Sequence, residues 1–233
     1  MAVATGIVNV WTEPAGTTAA AYARLSPAYP DRLLLGVGAG HKAMVEATTG
    51  QRYQRPYHKL VEYLDVLDGA DPPVPAEGRA LAALGPRVLG LARDRTAGAH
   101  PYLVTPEHTQ QARAILGPAP LLAPEQTVVL ATDPQRARAI GRATLQRYLA
   151  LPNYTRNWQR LGFTEADIAG AGSDRLVDAM VAWGDAGAIA DRVAQHHQAG
   201  ADHVCVQVLT STGGLPLAEL RELAPALLAG GAA

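Results

Sequence analysis

The chain has 233 residues, 48% hydrophobic and 18% charged, with 20 Lys and Arg against 21 Asp and Glu. That apolar content excludes a disordered chain, and a formal net charge of −1 excludes the basic field that nucleic acid or an anionic membrane requires. A single cysteine, Cys205, excludes a disulfide framework and a cysteine-built zinc site. No apolar run reaches the ~18–20 residues of a membrane span, and the start at Met1–Gly6 has no basic leader region. One soluble, cytoplasmic domain over residues 1–233 is therefore expected.

In chain order, Ala2–Val10 is rich in β-branched residues, carries Gly6 and reads as a strand. Gly16–Ser26 reads as a helix ended by Pro27. Leu33–Val37 is a continuous apolar strand running into glycines. Pro56–Leu67 places Leu60, Tyr63, Leu64 and Leu67 on one helical stripe, and Asp71–Pro75 follows as a stiff surface loop. Next come a strand over Ala80–Leu84, a helix over Pro86–Thr96 with proline in its first turn, and a strand over Ala99–Val104. A helix over Pro106–Leu116 capped by Thr105 and a strand over Thr127–Ala131 follow. Asp133 opens a helix to about Leu149, Ser173-Asp174 opens Arg175–Trp183, and Asp185 opens Ala186–Ala199. Val204–Leu209 is the clearest strand, and a helix over Pro216–Leu228 closes the chain. Repeated βα units with doubly buried strands predict an α/β fold with a parallel sheet, open or closed into a (β/α)8 barrel. The 70-odd residues between Ala131 and Val204 read as a helical insertion before the last strand.

The candidate chemistry lies at strand ends. Gly36-Val37-Gly38-Ala39-Gly40-His41 follows a strand but has His where a dinucleotide fingerprint needs its third glycine. It is a plain strand exit or a place where backbone N–H groups meet a phosphate or a flat ring. Gly6 within Thr5-Gly6-Ile7-Val8-Asn9 marks either a bulge or a peptide that backs a cofactor. Leu84-Gly85-Pro86 is a simple βα turn or a helix start whose N-terminus favours an anion. His100 stands at a strand end, where barrel sites lie, and is either a hydrogen-bonding partner for a cofactor or substrate or a polar residue at a loop rim. Ser211-Thr212-Gly213-Gly214 follows the last strand, a loop that holds phosphate in many barrels or serves as a simple turn. Gln207, in a buried strand, needs a partner from core or ligand, whereas Cys205 reads as an inert core thiol and Glu62 with Asp65 as a solvated face. Seven histidines supply no H-E-x-x-H, and the adjacent His196 and His197 cannot share a helix face, so no metal site is expected.

Several stretches, in order, resemble the luciferase-like monooxygenase superfamily in its coenzyme F420-dependent oxidoreductase branch. They are Ala4–Trp11, Arg32–His41, Tyr53 with Arg55-Pro56-Tyr57, Glu62–Asp65, Leu84–Arg87, Ala97–Tyr102, Pro124–Gln126, Leu151–Tyr154 and Gly200–Val204. The resemblance implies a TIM-type barrel that binds F420, or FMN in sister branches, at the carboxyl ends of its strands. It implies a non-proline cis peptide at Gly6-Ile7 behind the ring. Cofactor-binding residues would be Thr5, Gly6, Ile7, Asn9, Gly38, Ala39, Gly40, His41, Ala83, Leu84, Gly85, His100 and Pro101. Trp11, Tyr57 and His100 are the candidates for the substrate face. The implied reaction is hydride transfer between the deazaflavin and a small organic substrate; the alternatives are an FMN-dependent monooxygenase and a non-catalytic homologue that acts by oligomerising. Six strand candidates fall short of the eight in such a barrel. The first resembles the family's third, so two βα units of ~30 residues each are expected to be absent. Open edges at Ala2–Val10 and Val204–Leu209 then favour a homodimer or an edge-mediated oligomer.

Overall fold

A computed structural model of the protein describes residues 2–229. They fall into two compact units: the residues to His100 with Ile115–Leu121, and Pro101–Ala114 with the residues from Leu122 onward.

The first unit contains β1 (Val3–Ala4), β2 (Val8–Asn9), α1 (Ala15–Ala28), β3 (Leu33–Gly38), α2 (Lys42–Thr49) and α3 (Pro56–Asp68). It continues with β4 (Arg79–Leu81), α4 (Pro86–Arg95), β5 (Gly98–Ala99) and the start of β6 (Leu121–Leu122). The sheet runs β1-β3-β4-β5-β6, with β2 also on β3. The pairings of β1 to β5 are parallel. The expected stripe of α3 is its buried face: Leu60, Tyr63, Leu64 and Leu67 are all in the core.

The strand expected over Ala2–Val10 is two pieces. Val3 and Ala4 pair with Leu33 and Leu34, but Val8 and Asn9 pair with Val37 and Gly38. Thr5, Gly6 and Ile7 therefore stand opposite only Leu35 and Gly36, a bulge of one residue. Pro27 does not end α1, which runs on to Ala28. A proline in the last turn forfeits its own N–H bond and crowds only the carbonyl four residues before it, a cost that a helix end tolerates. The Asp71–Pro75 loop is not wholly at the surface. Val74 is buried, donates its N–H to Leu67 O (3.0 Å) and accepts from Arg79 Nη1 (3.1 Å).

The second unit holds α5 (Pro106–Leu116) as far as Ala114, the end of β6, β7 (Glu125–Leu130), α6 (Pro134–Leu149) and α7 (Pro152–Arg160). It continues with α8 (Glu165–Ile168), α9 (Asp174–Met180), β8 (Val181–Gly184), α10 (Ala186–Gln198), β9 (Cys205–Val208) and α11 (Leu217–Ala229). Its parallel sheet has the order β8-β7-β9. The caps read from sequence form: Asp133 accepts from the N–H groups of Gln135 and Arg136, Ser173 from Leu176 and Asp185 from Ala188.

The stretch expected as a purely helical insertion contains β8, so the helix expected over Arg175–Trp183 stops at Met180. Val181–Gly184 lies in register on Thr127–Leu130, and the gain of a full parallel ladder outweighs continuing the helix. Among the described residues β1 and β2 pair with β3 alone and β9 pairs with β7 alone. No helix there is long and apolar enough to cross a membrane, and no group of three or more His, Cys, Asp or Glu is placed to hold a metal ion.

α10 is pinned to β7 by His196, which has no exposed surface. Its Nδ1 lies 2.8 Å from Thr109 Oγ1 and its Nε2 2.9 Å from Gln126 Oε1. Gln126 Nε2 donates to Thr127 O and Met180 O, so its oxygen faces the ring and Nε2 of His196 is the donor. Burial, with Arg192 and His197 nearby, pushes the imidazole down to about 4 from 6.5. As pH falls through this window the unfolded chain takes the proton first, so stability is lost between about pH 6.5 and 4. The loss expected is ~3 kcal/mol. Urea unfolding of the wild type and of His196→Asn at pH 6.5 and 4.2 checks this. The wild type should lose more than the variant by that amount, and equal losses would contradict it.

Candidate functional site

The carboxyl ends of the first unit's strands bring most of the sequence-predicted residues to one end of its sheet. Asn9 is in register with Gly38, Val37 with Leu81, and Leu81 with Ala99. Trp11, Ala39-Gly40-His41, Ala83-Leu84-Gly85 and His100 therefore leave neighbouring strands in the same direction. Pro101 belongs to the second unit, where its carbonyl accepts from the Glu125 N–H (2.8 Å).

Two glycines of the Gly36–Gly40 turn are required by close packing within the protein. A Cβ on Gly36 would meet Thr5 O at 1.9 Å, and one on Gly40, whose φ is +61°, would meet Asn9 Nδ2 at 2.3 Å. They make room for the bulged first strand. Thr5 Oγ1 locks the contact by donating to Gly36 O (2.8 Å). Asn9 Oδ1 accepts from the Trp11 N–H (3.0 Å), which turns the chain and carries the indole outward from the strand end.

Gly6 differs from the others. It is exposed, and a Cβ there would meet nothing within 4 Å. The Gly6-Ile7 peptide is cis, at the place the resemblance gave. The bulge thus presents a bare backbone face at the strand ends.

Aromatic and cationic groups pair with one another in the segments that follow these strands. Trp11 packs on Tyr53 with ring centroids 5.2 Å apart, and Lys59 Nζ lies 5.5 Å from the Trp11 ring. Tyr53 donates to Gly40 O (3.2 Å), and burial pushes its phenol up. Trp11 Nε1 is a buried donor with no hydrogen-bond partner. Tyr57 lies under the guanidinium of Arg87 at 4.3 Å. Arg87 belongs to the first turn of α4, whose N-cap Gly85 offers no side-chain cap; Pro86 has no N–H and Val88 donates to Gly85 O (3.1 Å), so the backbone N–H of Arg87 is the donor this turn leaves for an anion.

The second unit carries polar groups that the sequence reading left without a role. Glu125, only 6% exposed, accepts from Thr127 Oγ1 at 3.0 and 3.3 Å. Burial pushes its carboxyl up to about 8, against the hydrogen bonds from Thr127 and the Leu103 backbone. Tyr102 donates to Gln207 Oε1 (2.8 Å), Tyr148 donates to Tyr102 (3.2 Å), and Tyr148 and Tyr154 pack edge to face at 4.9 Å. Burial and the neighbouring Glu125 push Tyr102 and Tyr154 up as well. Gln207 is exposed rather than buried as expected, and its partner is Tyr102. Cys205 is half-buried, paired in register with Glu125, and burial pushes its thiol up, which keeps it unreactive. The one signal for Glu125 was its alternation with Thr127 at the polar start of a strand that ends in Val128-Val129-Leu130.

A family model described as luciferase-like monooxygenase matches residues 1–203. Among solved structures, an F420-dependent secondary alcohol dehydrogenase in complex with an F420-acetone adduct aligns with a TM-score of 0.72 at 16% identity. The alignment covers 97% of this chain and 79% of that one. The coenzyme F420-dependent tetrahydromethanopterin reductase from Methanopyrus kandleri aligns at 0.70 and 15% identity, over 99% and 81% of the two chains. The FMN-bound oxygenating constituent of a 3,6-diketocamphane monooxygenase from Pseudomonas putida aligns at 0.62 and 14% identity, over 98% and 78%. These likenesses show the fold, an α/β architecture of the TIM-barrel type. Comparison with curated proteins finds no match.

Proposed function

Since the chain belongs to the luciferase-like monooxygenase family, whose members are oxidoreductases, we propose that it binds the deazaflavin F420 on the bare face at Gly6-Ile7 and moves a hydride between it and a small organic substrate. The observation that carries this is Gly6, exposed at the strand ends with no atom where a side chain would go. A flat ring needs such a wall. The residues present fit the group in other ways. Trp11 Nε1 is a buried donor awaiting an acceptor, and the uncapped start of α4 with Arg87 suits a phosphate or carboxylate. F420, when bound, supplies the hydride at its C5. The chain's own residues hold and orient it: Ile7 and Ala83 by apolar contact, Asn9 by fixing the Trp11 turn, and Trp11 by its N–H. Tyr57 and His100 are the proposed substrate-facing groups.

Fluorescence titration with F420, and competition by FMN, tests this. F420 should bind saturably and FMN should not displace it. Gly6→Leu should fold normally, because its Cβ meets no protein atom within 4 Å and the position is exposed, yet lose at least about tenfold in F420 affinity. Tight FMN binding would instead assign the monooxygenase reading. Binding of neither, or a Gly6→Leu variant with unchanged affinity and melting temperature, would overturn the placement of the site.

A further inference from the structure

A separate cavity of about 690 Å³ lies wholly within the second unit, between α6 and the segment that follows β9. Its lining includes Arg147, Gln207, Thr210, Ser211, Thr212 and Gly213, and no carboxylate. Helix α6 makes the charge of Arg147 distinctive. Arg138 pairs with Asp178 (2.6 Å) and Asp174 (2.9 Å), and Arg142 pairs with Asp174. Arg147 forms no ion pair with any described residue, so its guanidinium charge is uncompensated where it lines the cavity.

Gln207 adds directed donors. Its Oε1 is held by the Tyr102 hydroxyl, which Tyr148 orients in turn. The Nε2 group is then left with both N–H bonds for a ligand. The loop supplies hydroxyls: Thr210 Oγ1 and Thr212 Oγ1 lie 3.3 Å apart, and Gly213 turns the chain at φ +66°. Glu125, paired with Cys205 two positions before Gln207, holds its proton at neutral pH and adds no opposing charge.

We infer that this cavity is a binding site for the phosphoryl group of a small-molecule ligand, with Arg147, the Gln207 amide and the Thr210–Gly213 loop as its donors. An uncompensated guanidinium beside several neutral donors, with no acid, suits a group with three or four acceptor oxygens better than a carboxylate with two. The inference stands apart from the F420 reading, since every residue it uses lies in the second unit.

Calorimetric titration of the full chain with inorganic phosphate, at constant ionic strength, tests it, with acetate titrated as the carboxylate control. Phosphate should bind saturably at one site, and acetate should bind much more weakly. Arg147→Gln should weaken phosphate by roughly tenfold or more, the usual weight of a charge-assisted hydrogen bond. Arg136→Gln, an exposed arginine on the same helix outside the cavity, should leave affinity unchanged. No saturable binding, equal losses in the two variants, or acetate binding as well as phosphate would each overturn the inference.

Discussion

Glutamine in place of Glu125 is expected to remove a fall in stability of about 4 kcal/mol between pH 4.5 and 8. The sign follows from the direction of the displacement. Burial raises the folded-state carboxyl from 4.5 to about 8, so the unfolded chain releases its proton first as pH rises. Stability contributed by the protonated acid is complete below pH 4.5 and is lost as pH climbs through 8. Glutamine keeps the shape and the acceptor for Thr127 but carries no titrating proton. Urea unfolding at pH 5, 6.5 and 8.5 should show the two proteins diverging steadily, with the variant gaining on the wild type as pH rises. Parallel profiles would mean that Glu125 is ionised in the fold. Because His196 contributes in the opposite sense between pH 4 and 6.5, the difference between wild type and variant is the quantity to read, not the wild-type curve alone.

Glu125 also illustrates where the sequence stops being legible. The apolar stripe of α3 and the caps at Asp133, Ser173 and Asp185 are local patterns, and each forms as read. Strand β8 follows α9 with no glycine or proline between, so nothing local marks the change, and the pairing of Val181–Gly184 with Thr127–Leu130 decides it. The Gly36–Gly40 turn looks like a phosphate loop because a missing side chain reads the same whether a ligand or a strand fills the space. Only the register offset between β1 and β2 shows that the first strand fills it. Gly6 was legible as a site residue through the family resemblance rather than through its spacing. Glu125, Arg147 and the tyrosines gain meaning from burial and from partners many residues away, which no window along the chain contains.

Arg79 has the largest expected structural effect in the first unit. Its side chain is 2% exposed at the first position of β4, where strand patterning alone predicts an apolar residue. The guanidinium is fully used: Nη1 donates to Val74 O (3.1 Å), Nε and Nη2 donate to Arg95 O (3.2 and 3.1 Å), and Nη2 pairs with Asp68. Arg95 closes the network through Asp65 (2.8 Å) and Asp68 (2.5 Å). Burial alone would raise the Asp68 carboxyl, but the hydrogen bonds from Arg79 and Arg95 hold it below the usual range. One fork thus ties the end of α3, the loop at Val74 and the end of α4 to the strand. Arg79→Leu strands the carbonyls of Val74 and Arg95 and should cost about 3–4 kcal/mol. Arg79→Lys, with one ammonium for three separated acceptors, should cost about 2 kcal/mol. Asp68→Asn should cost no more than about 1 kcal/mol, because Asp68 is 44% exposed and Arg79 keeps its carbonyl partners. Urea unfolding at pH 7 measures all three. The ordering Leu, Lys, Asn is the test: a loss in Asp68→Asn equal to that in Arg79→Leu would place the stabilisation in the ion pair rather than in the buried carbonyl contacts.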